Sequence, residues 1–250
     1  MHKNLVGATS FFKSFLPLVG SSKLCETVIC PPFLDVGNAV SATRGTSIRI
    51  GAQNLFWEND GAFTGEVSGP MIKASGCSHV IVGHSERRRY FGETDETVLK
   101  KTIAALDAGL TPIVCIGERQ EKNVEMVLTK QFRCGIAGLS DKQFAAIVIG
   151  YEPIWAIGAR GTATPEVAAD AHRRIRTQAR ERFGTDAANN VRILYGGSVK
   201  PDNASGLLAQ SEIDGFLVGG ASLDPVSFAA LVNLLSSSQV MAQSVAEKAF

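Results

Sequence analysis

Glu152 stands in the run Gly150-Tyr151-Glu152-Pro153-Ile154-Trp155, just after an apolar segment at residues 145–149. A lone carboxylate at a strand end can act as a general base, and the proline after it holds its backbone extended. The residues that follow have the make-up of a lid. Pro153, Ile154 and Trp155 form a stiff opening; Ala156, Ile157, Gly158, Ala159, Arg160 and Gly161 a tip of mostly small residues; Thr162 and Ala163 an exit. A base beside a loop that can close suits chemistry from which water is kept. The same stretch would also serve as an ordinary strand-to-helix connection, so the rest of the chain has to decide between the two.

Three further strand ends carry suggestive residues. His84 follows the apolar run 79–82 and precedes the charged Ser85-Glu86-Arg87-Arg88-Arg89. An imidazole at a helix N-terminus is biased toward its neutral form, which can donate a hydrogen bond to a substrate oxygen. The plainer alternative is a capping histidine. Tyr195-Gly196-Gly197-Ser198 and Val218-Gly219-Gly220-Ala221 each set paired glycines ahead of a short helix. Glycine lets backbone N–H groups approach an anion, and a helix N-terminus favours negative charge. A base, a neutral electrophile, a lid and two phosphate-binding turns together suit proton transfer next to a carbonyl on a small phosphorylated substrate. No His, Cys and Asp set has metal-ligand spacing, and neither a Walker loop nor a Gly-x-Ser-x-Gly elbow occurs.

Those ends need a scaffold. Eight strand-like runs recur, at residues 5–6, 27–30, 47–51, 79–82, 112–116, 145–149, 191–194 and 215–218. Helical patterns lie between them: Phe12, Phe15, Leu16 and Val19; Thr97, Leu99, Ile103 and Leu106; and residues 167–183 with an Arg-rich outer face. Caps are expected at Ser10, at Thr94 or Asp95, at Thr164, and at Ser198 or Asp202. Eight alternating units without a linker predict one closed parallel (β/α)8 barrel, a single domain over residues 1–250, with 236–250 as a polar extension. Functional residues of such a barrel lie on the loops after its strands, and the loops after the last two strands are the frequent phosphate site. A doubly wound sheet would show a glycine fingerprint after its first strand, and Gly7-Ala8-Thr9-Ser10 is not one.

Bulk composition narrows the class. The chain has 250 residues, 45% of them hydrophobic, and a formal net charge of +1, so no strong field draws nucleic acid or an anionic membrane. Five cysteines (Cys25, Cys30, Cys77, Cys115 and Cys134) form no Cys-x-x-Cys pair and read as free thiols of a reducing compartment. No run approaches the roughly 18 apolar residues of a membrane span, and no signal-like core precedes the first helix. The cytoplasm is the expected location.

The motifs resemble the triosephosphate isomerase family. The matching stretches are Gly51-Ala52-Gln53-Asn54, Gly61-Ala62-Phe63-Thr64-Gly65-Glu66, Gly83-His84-Ser85-Glu86-Arg87-Arg88, Cys115-Ile116-Gly117-Glu118, Tyr151-Glu152-Pro153-Ile154-Trp155-Ala156-Ile157-Gly158, Tyr195-Gly196-Gly197-Ser198-Val199 and Val218-Gly219-Gly220-Ala221. The resemblance implies cofactor-free interconversion of dihydroxyacetone phosphate and D-glyceraldehyde 3-phosphate through an enediol. Glu152 would move the proton and His84 would polarise the carbonyl. Gly158, Ser198, Gly219 and Gly220 would hold the phosphate, Glu86 and Cys115 would support the site, and the loop around Thr64 would enter the pocket of a second subunit in a homodimer.

At the N-terminus the sequence departs from the family. There the first strand ends Gly-Asn-Trp-Lys-Met, bringing an asparagine and a lysine to the site. Here Leu5-Val6-Gly7 runs into Ala8-Thr9-Ser10-Phe11-Phe12, so the first β/α loop is expected to be short. Lys13 belongs to an outer helix pattern, and Lys3, ahead of the first strand-like run, is expected at the end of the barrel away from the site. A missing preorganised cation costs about 10²- to 10³-fold in rate. Two readings follow: an active isomerase, or a related barrel that binds small phosphorylated anions with impaired catalysis and weakened dimerisation.

Overall fold

Short runs of β-branched and small apolar residues favour buried parallel strands, and the helical patterns between them return the chain to the start of the next strand. A computed structural model describes residues 1–19, 25–120, 123–158 and 161–247, with side chains described through residue 236. Among these residues the chain forms seven strands, β1 (Val28–Ile29), β2 (Arg49–Ala52), β3 (His79–Val82), β4 (Thr111–Ile116), β5 (Val148–Tyr151), β6 (Arg192–Tyr195) and β7 (Gly215–Phe216). They lie side by side in chain order, every neighbouring pair parallel.

The helix α1 (Leu5–Phe15) precedes β1, and α2 (Val36–Ala42) and α3 (Gly69–Ala74) follow β1 and β2. After β3 come α4 (Ser85–Tyr90) and α5 (Asp95–Asp107), after β4 come α6 (Val124–Gly135) and α7 (Asp141–Phe144). The segments α8 (Pro165–Phe183) and α9 (Thr185–Asn190) follow β5, α10 (Pro201–Leu208) follows β6, and α11 (Pro225–Glu247) closes the described chain.

The sheet curls on itself. Glu26, just ahead of β1, takes a 2.5 Å bond from Arg192 at the foot of β6 and also faces Arg49 at 3.2 Å. On the outside, α1 packs against both α2 and α11, its Phe15 ring stacked on Phe228 at 5.2 Å. This is the α/β barrel architecture expected from the alternation. Its best-packed part is the middle of the strand order. Val114, Ile116, Ile149 and Tyr151 of β4 and β5 are buried with Leu128, Phe132 and Ile175 of the helices behind them.

The first expected strand is not there. Leu5 and Val6 open α1 instead, 59% and 77% exposed, with the Asn4 side chain accepting the Gly7 N–H at 3.0 Å. Two apolar residues cannot choose between strand and helix; the cap at Asn4 and the buried face Phe11, Phe12 and Phe15 do so, and Ser10 lies inside the helix. The short first β/α loop therefore has no counterpart. Lys3 also sits elsewhere than expected. Its Nζ donates to Leu223 O at 2.8 Å, in the turn after β7, which places it at the end of the barrel that carries the strand-end loops.

Smaller shifts follow the same logic. The fifth strand begins at Val148 rather than Ala145, because Ala145 caps α7. The inner face of α5 is Val98, Thr102 and Ala105, one residue off the expected register, while Thr94 caps it as expected. Neither Ser198 nor Asp202 caps α10; its N-cap is Lys200, whose N–H goes to Asn203 Oδ1 at 2.8 Å. The backbone from Ser236 continues α11 to Glu247.

Candidate active site

The loops after β3, β5, β6 and β7 all leave the same end of a parallel sheet, so strand direction alone gathers the predicted residues on one face. Gly83 ends β3 at φ +73°, where a Cβ would also stand 2.8 Å from Val98. That turn presents His84 as the N-cap of α4. The imidazole Nδ1 accepts the Glu86 N–H at 3.3 Å, and Nε2 lies 3.0 Å from Glu152 Oε1. An acceptor at Nδ1 puts the proton of the neutral ring on Nε2, aimed at the carboxylate.

Glu152 directly follows β5, and its N–H extends the ladder to Ile116 O at 2.8 Å. The residue is only 2% exposed. Besides His84 it has two bonds from one residue: Ser85 N–H donates to Oε2 at 2.9 Å and Ser85 Oγ to Oε1 at 3.1 Å. A buried carboxylate needs such donors. Burial opposes charge on His84, but the Glu152 hydrogen bond and the charges of Glu152, Glu86 and Glu93 outweigh it, so the ring's pKa is raised. From the sequence, a helix N-terminus is expected to favour the neutral ring; the structure also sets a carboxylate 3.0 Å from it, which favours the charged form.

Behind the pair the backbone is drawn tight. A Cβ on Gly117 would sit 1.8 Å from Glu152 O, so only glycine lets the two strand ends approach this closely. Gln131 clamps Gly117 by accepting its N–H at 2.7 Å and donating to its carbonyl at 3.1 Å. Cys115 is wholly buried on β4, its thiol pKa pushed well up by burial and by the charge of Glu152. It packs beneath the site and does not reach it as a thiolate.

The loop after Glu152 is anchored at both ends. Glu118, itself buried, accepts Trp155 Nε1–H at 2.7 Å and the Tyr151 hydroxyl at 3.0 Å, and its carbonyl takes the Ile154 N–H at 2.9 Å. Ile154 to Ala156 form a tight turn after Pro153, and Ile157 leads to Gly158, exposed at φ +77°. Ala159 and Arg160 lie outside the described residues. Past Gly161 and the exposed Thr162, Ala163 is buried beside Tyr195, whose hydroxyl pKa burial pushes up to about 12 while the Ala163 backbone pulls it back.

The glycine pairs differ from each other. Gly196 and Gly197 are packing residues: a Cβ on Gly197 would stand 2.2 Å from Tyr195 Oη, and Gly196 N–H donates to Tyr151 O at 2.7 Å. Ser198, half-buried beyond them, gives its N–H to Ala156 O at 3.2 Å and so ties the turn to the base of the lid. Gly219 and Gly220 are exposed with open space around their Cβ positions, leading into a tight turn at Gly220–Leu223. Thr64 is exposed in the turn after β2, next to Phe63, whose ring lies 4.7 Å from that of Phe56.

A buried carboxylate facing a histidine on neighbouring strand ends, with an anchored lid after it, matches the motif order of one family. The sequence model of triosephosphate isomerase matches residues 1–235. The chain belongs to the triosephosphate isomerase family. It is 65% identical over 237 residues to the triosephosphate isomerase of Solibacter usitatus (strain Ellin6076), covering 93% of this chain and 95% of that one. The triosephosphate isomerases of Moorella thermoacetica and Geotalea uraniireducens are 51% and 48% identical, each match covering 93% of this chain and 94% of the relative.

Ser85, Gly117, Glu118 and Gln131 took no part in the site as first read from the sequence. Ser85, Gly117 and Glu118 lie within family motifs, and Ser85 directly follows the candidate histidine. Gln131, on α6, has no signal at all, because its role depends on how α6 lies over the end of β4.

Proposed function

We propose that this chain interconverts dihydroxyacetone phosphate and D-glyceraldehyde 3-phosphate, with Glu152 and His84 as its proton-handling pair. The observation that carries this reading is the 3.0 Å contact between a buried carboxylate and the protonated nitrogen of an oriented imidazole. A triose held between them would take over the Nε2–H bond at its carbonyl oxygen, separating the ring from the charge that raises its pKa. Glu152 then removes a proton from the carbon next to that carbonyl and returns it to the neighbouring carbon. His84 stabilises the charge that develops on the carbonyl oxygen and gives that oxygen its Nε2 proton. It takes the proton of the neighbouring hydroxyl in return, so that carbonyl and hydroxyl exchange places and the ring ends neutral as it began.

Gly158, Ser198, Gly219 and Gly220 would hold the phosphate, with backbone N–H groups and the Ser198 hydroxyl as donors. Closure of the lid would keep water from the enediol and disfavour loss of phosphate. The reading extends to one domain over the whole chain, to a cytoplasmic setting, and to a homodimer formed through the exposed loop around Thr64. A second reading, anion binding with weak catalysis, is favoured by the surroundings of the carboxylate: among the described residues Glu152 pairs with His84 and with no Lys or Arg.

The test is isomerisation of glyceraldehyde 3-phosphate by the purified chain, with Glu152→Gln as background. Turnover lost by about 10²- to 10⁴-fold in that variant is expected. Equal rates for the two proteins, with phosphate still bound, would establish the anion-binding reading instead.

A further inference from the structure

The two neighbours of β4 leave it at different points. On one side the ladder with β3 ends at Val82 beside Val114, because Gly83 turns the chain away at φ +73° to present His84. On the other side the ladder runs on past Ile116 and Tyr151. Glu152 N–H donates to Ile116 O at 2.8 Å, and Ile154 N–H to Glu118 O at 2.9 Å. The backbone groups of a parallel strand face its two neighbours alternately, and Thr111 N–H, on Ser78 O at 2.9 Å, faces β3. Cys115 and Gly117 therefore turn backbone groups toward a strand that has already left. Both residues are buried.

Two side chains take the strand's place. Arg88 donates from Nη2 to Cys115 O at 3.1 Å, while its Nε–H holds Gly83 O at 2.7 Å and its Nη1 meets Asp95 at 2.6 Å. Gln131 of α6 serves both groups of Gly117, accepting the N–H at 2.7 Å and donating to the carbonyl at 3.1 Å. Its amide stands in for a peptide unit of the absent strand, and the two partners fix which end is oxygen and which is nitrogen. Gly117 is also the residue pressed against Glu152, where a Cβ would stand 1.8 Å from the carbonyl oxygen.

We propose that Gln131 is a positioning residue of the Glu152 and His84 pair: it completes the β4 ladder where β3 turns off, and so fixes Gly117 and the place at which Glu152 meets His84. Without its amide, two buried backbone groups lose their partners, and the strand end has to shift to find others. A shifted Gly117 carries the Glu152 backbone with it, and the 3.0 Å contact with His84 lengthens. The effect on position follows from this geometry alone; the effect on rate rests on the isomerase reading above.

The test sets the parent chain beside Gln131→Met, Gln131→Glu and, as a control for lost stability, Leu128→Ala, which truncates a fully buried apolar residue of the same helix. The His84 ring is titrated by NMR and isomerase kinetics are measured. In the parent, burial is outweighed by Glu152, Glu86 and Glu93, and the ring titrates above the ordinary 6.5. Gln131→Met is expected to bring that titration down, with kcat lower by about tenfold or more and KM within about twofold. Leu128→Ala lowers the melting temperature and moves neither. The rate of Gln131→Glu relative to the parent rises as pH falls, because a protonated carboxyl again accepts and donates. Should Gln131→Met fail to fold, that ratio decides: one that does not vary with pH counts against the role. An unmoved His84 titration in folded Gln131→Met, an equal fall in Leu128→Ala, or an unchanged kcat in an active parent overturns the proposal. A parent no faster than Glu152→Gln, with the titration still lowered in Gln131→Met, leaves the positioning role standing and counts against the isomerase reading.

Discussion

The proposed proton-handling pair and the glycine turn proposed to hold phosphate stand on different parts of the sheet. His84 and Glu152 leave from β3 and β5, on either side of β4, the central strand, whereas Gly219 and Gly220 leave from β7, an edge. At the centre each strand is gripped on both sides and backed by helices, so a carboxylate can be buried and held by three contacts within about 3.1 Å. At the edge the turn is exposed, and Phe216, Leu217 and Val218 just before it are half-buried. The proposed proton-handling pair is held where the sheet is continuous, and the turn proposed to hold phosphate is exposed where the sheet is open.

Core truncation separates the two regions most strongly. Ile149→Ala on β5 removes a fully buried side chain from the closed region, and a loss of about 2–5 kcal/mol in urea unfolding is expected. Ile29→Ala on β1 removes a half-buried one, for about 1 kcal/mol. Equal losses would erase the distinction between centre and edge.

Glycine substitution comes next. Gly117→Ala would force a methyl against the Glu152 carbonyl, so a stability loss of about 1–3 kcal/mol is expected, with activity down by about 10²-fold as Glu152 is displaced. Gly219→Ala meets nothing within 4 Å and leaves melting temperature unchanged, its effect confined to KM.

The central region should also show itself in acid. His172 of α8 is wholly buried beside Tyr151, its Nδ1 paired with Glu212 O at 3.1 Å, and burial lowers its pKa to about 3 from an ordinary 6.5. The unfolded chain therefore takes up this proton first as pH falls. The stabilising contribution is complete above pH 6.5 and is lost between there and about pH 3, at up to roughly 1.4 kcal/mol per pH unit. Denaturant titrations at pH 7, 6 and 5 should show this slope in the parent chain and a flatter one in His172→Gln.

The smallest effect is expected at Ser85. Ser85→Ala removes the hydroxyl bond to Glu152 but leaves the backbone one, for about 1 kcal/mol or less and a several-fold loss in rate. A loss as large as that of Gly117→Ala would mean that the hydroxyl, and not the strand-end geometry, holds the base.

How far the sequence spoke for itself follows the same division. His84 and Glu152 were legible because each ends a clear apolar run beside a distinctive partner, a charged helix start or a proline. The N-terminal strand was misread because Leu5 and Val6 are too few to carry a period, and a cap at Asn4 decided their conformation. The Gly196 and Gly197 pair looked like an anion turn, yet both glycines serve close packing against Tyr151 and Tyr195, a matter of register that spacing does not encode. The raised pKa of His84 was hidden for the same reason: it depends on a carboxylate 68 residues away arriving at 3.0 Å.

Proton abstraction by Glu152 can be read without full turnover. Dihydroxyacetone phosphate is incubated with the chain in deuterium oxide, and deuterium incorporation at the carbon bearing the hydroxyl is followed by proton NMR. Incorporation by the parent chain, lost in Glu152→Gln, is the expected result. Incorporation at the same rate in Glu152→Gln would contradict the assignment of Glu152 as the base.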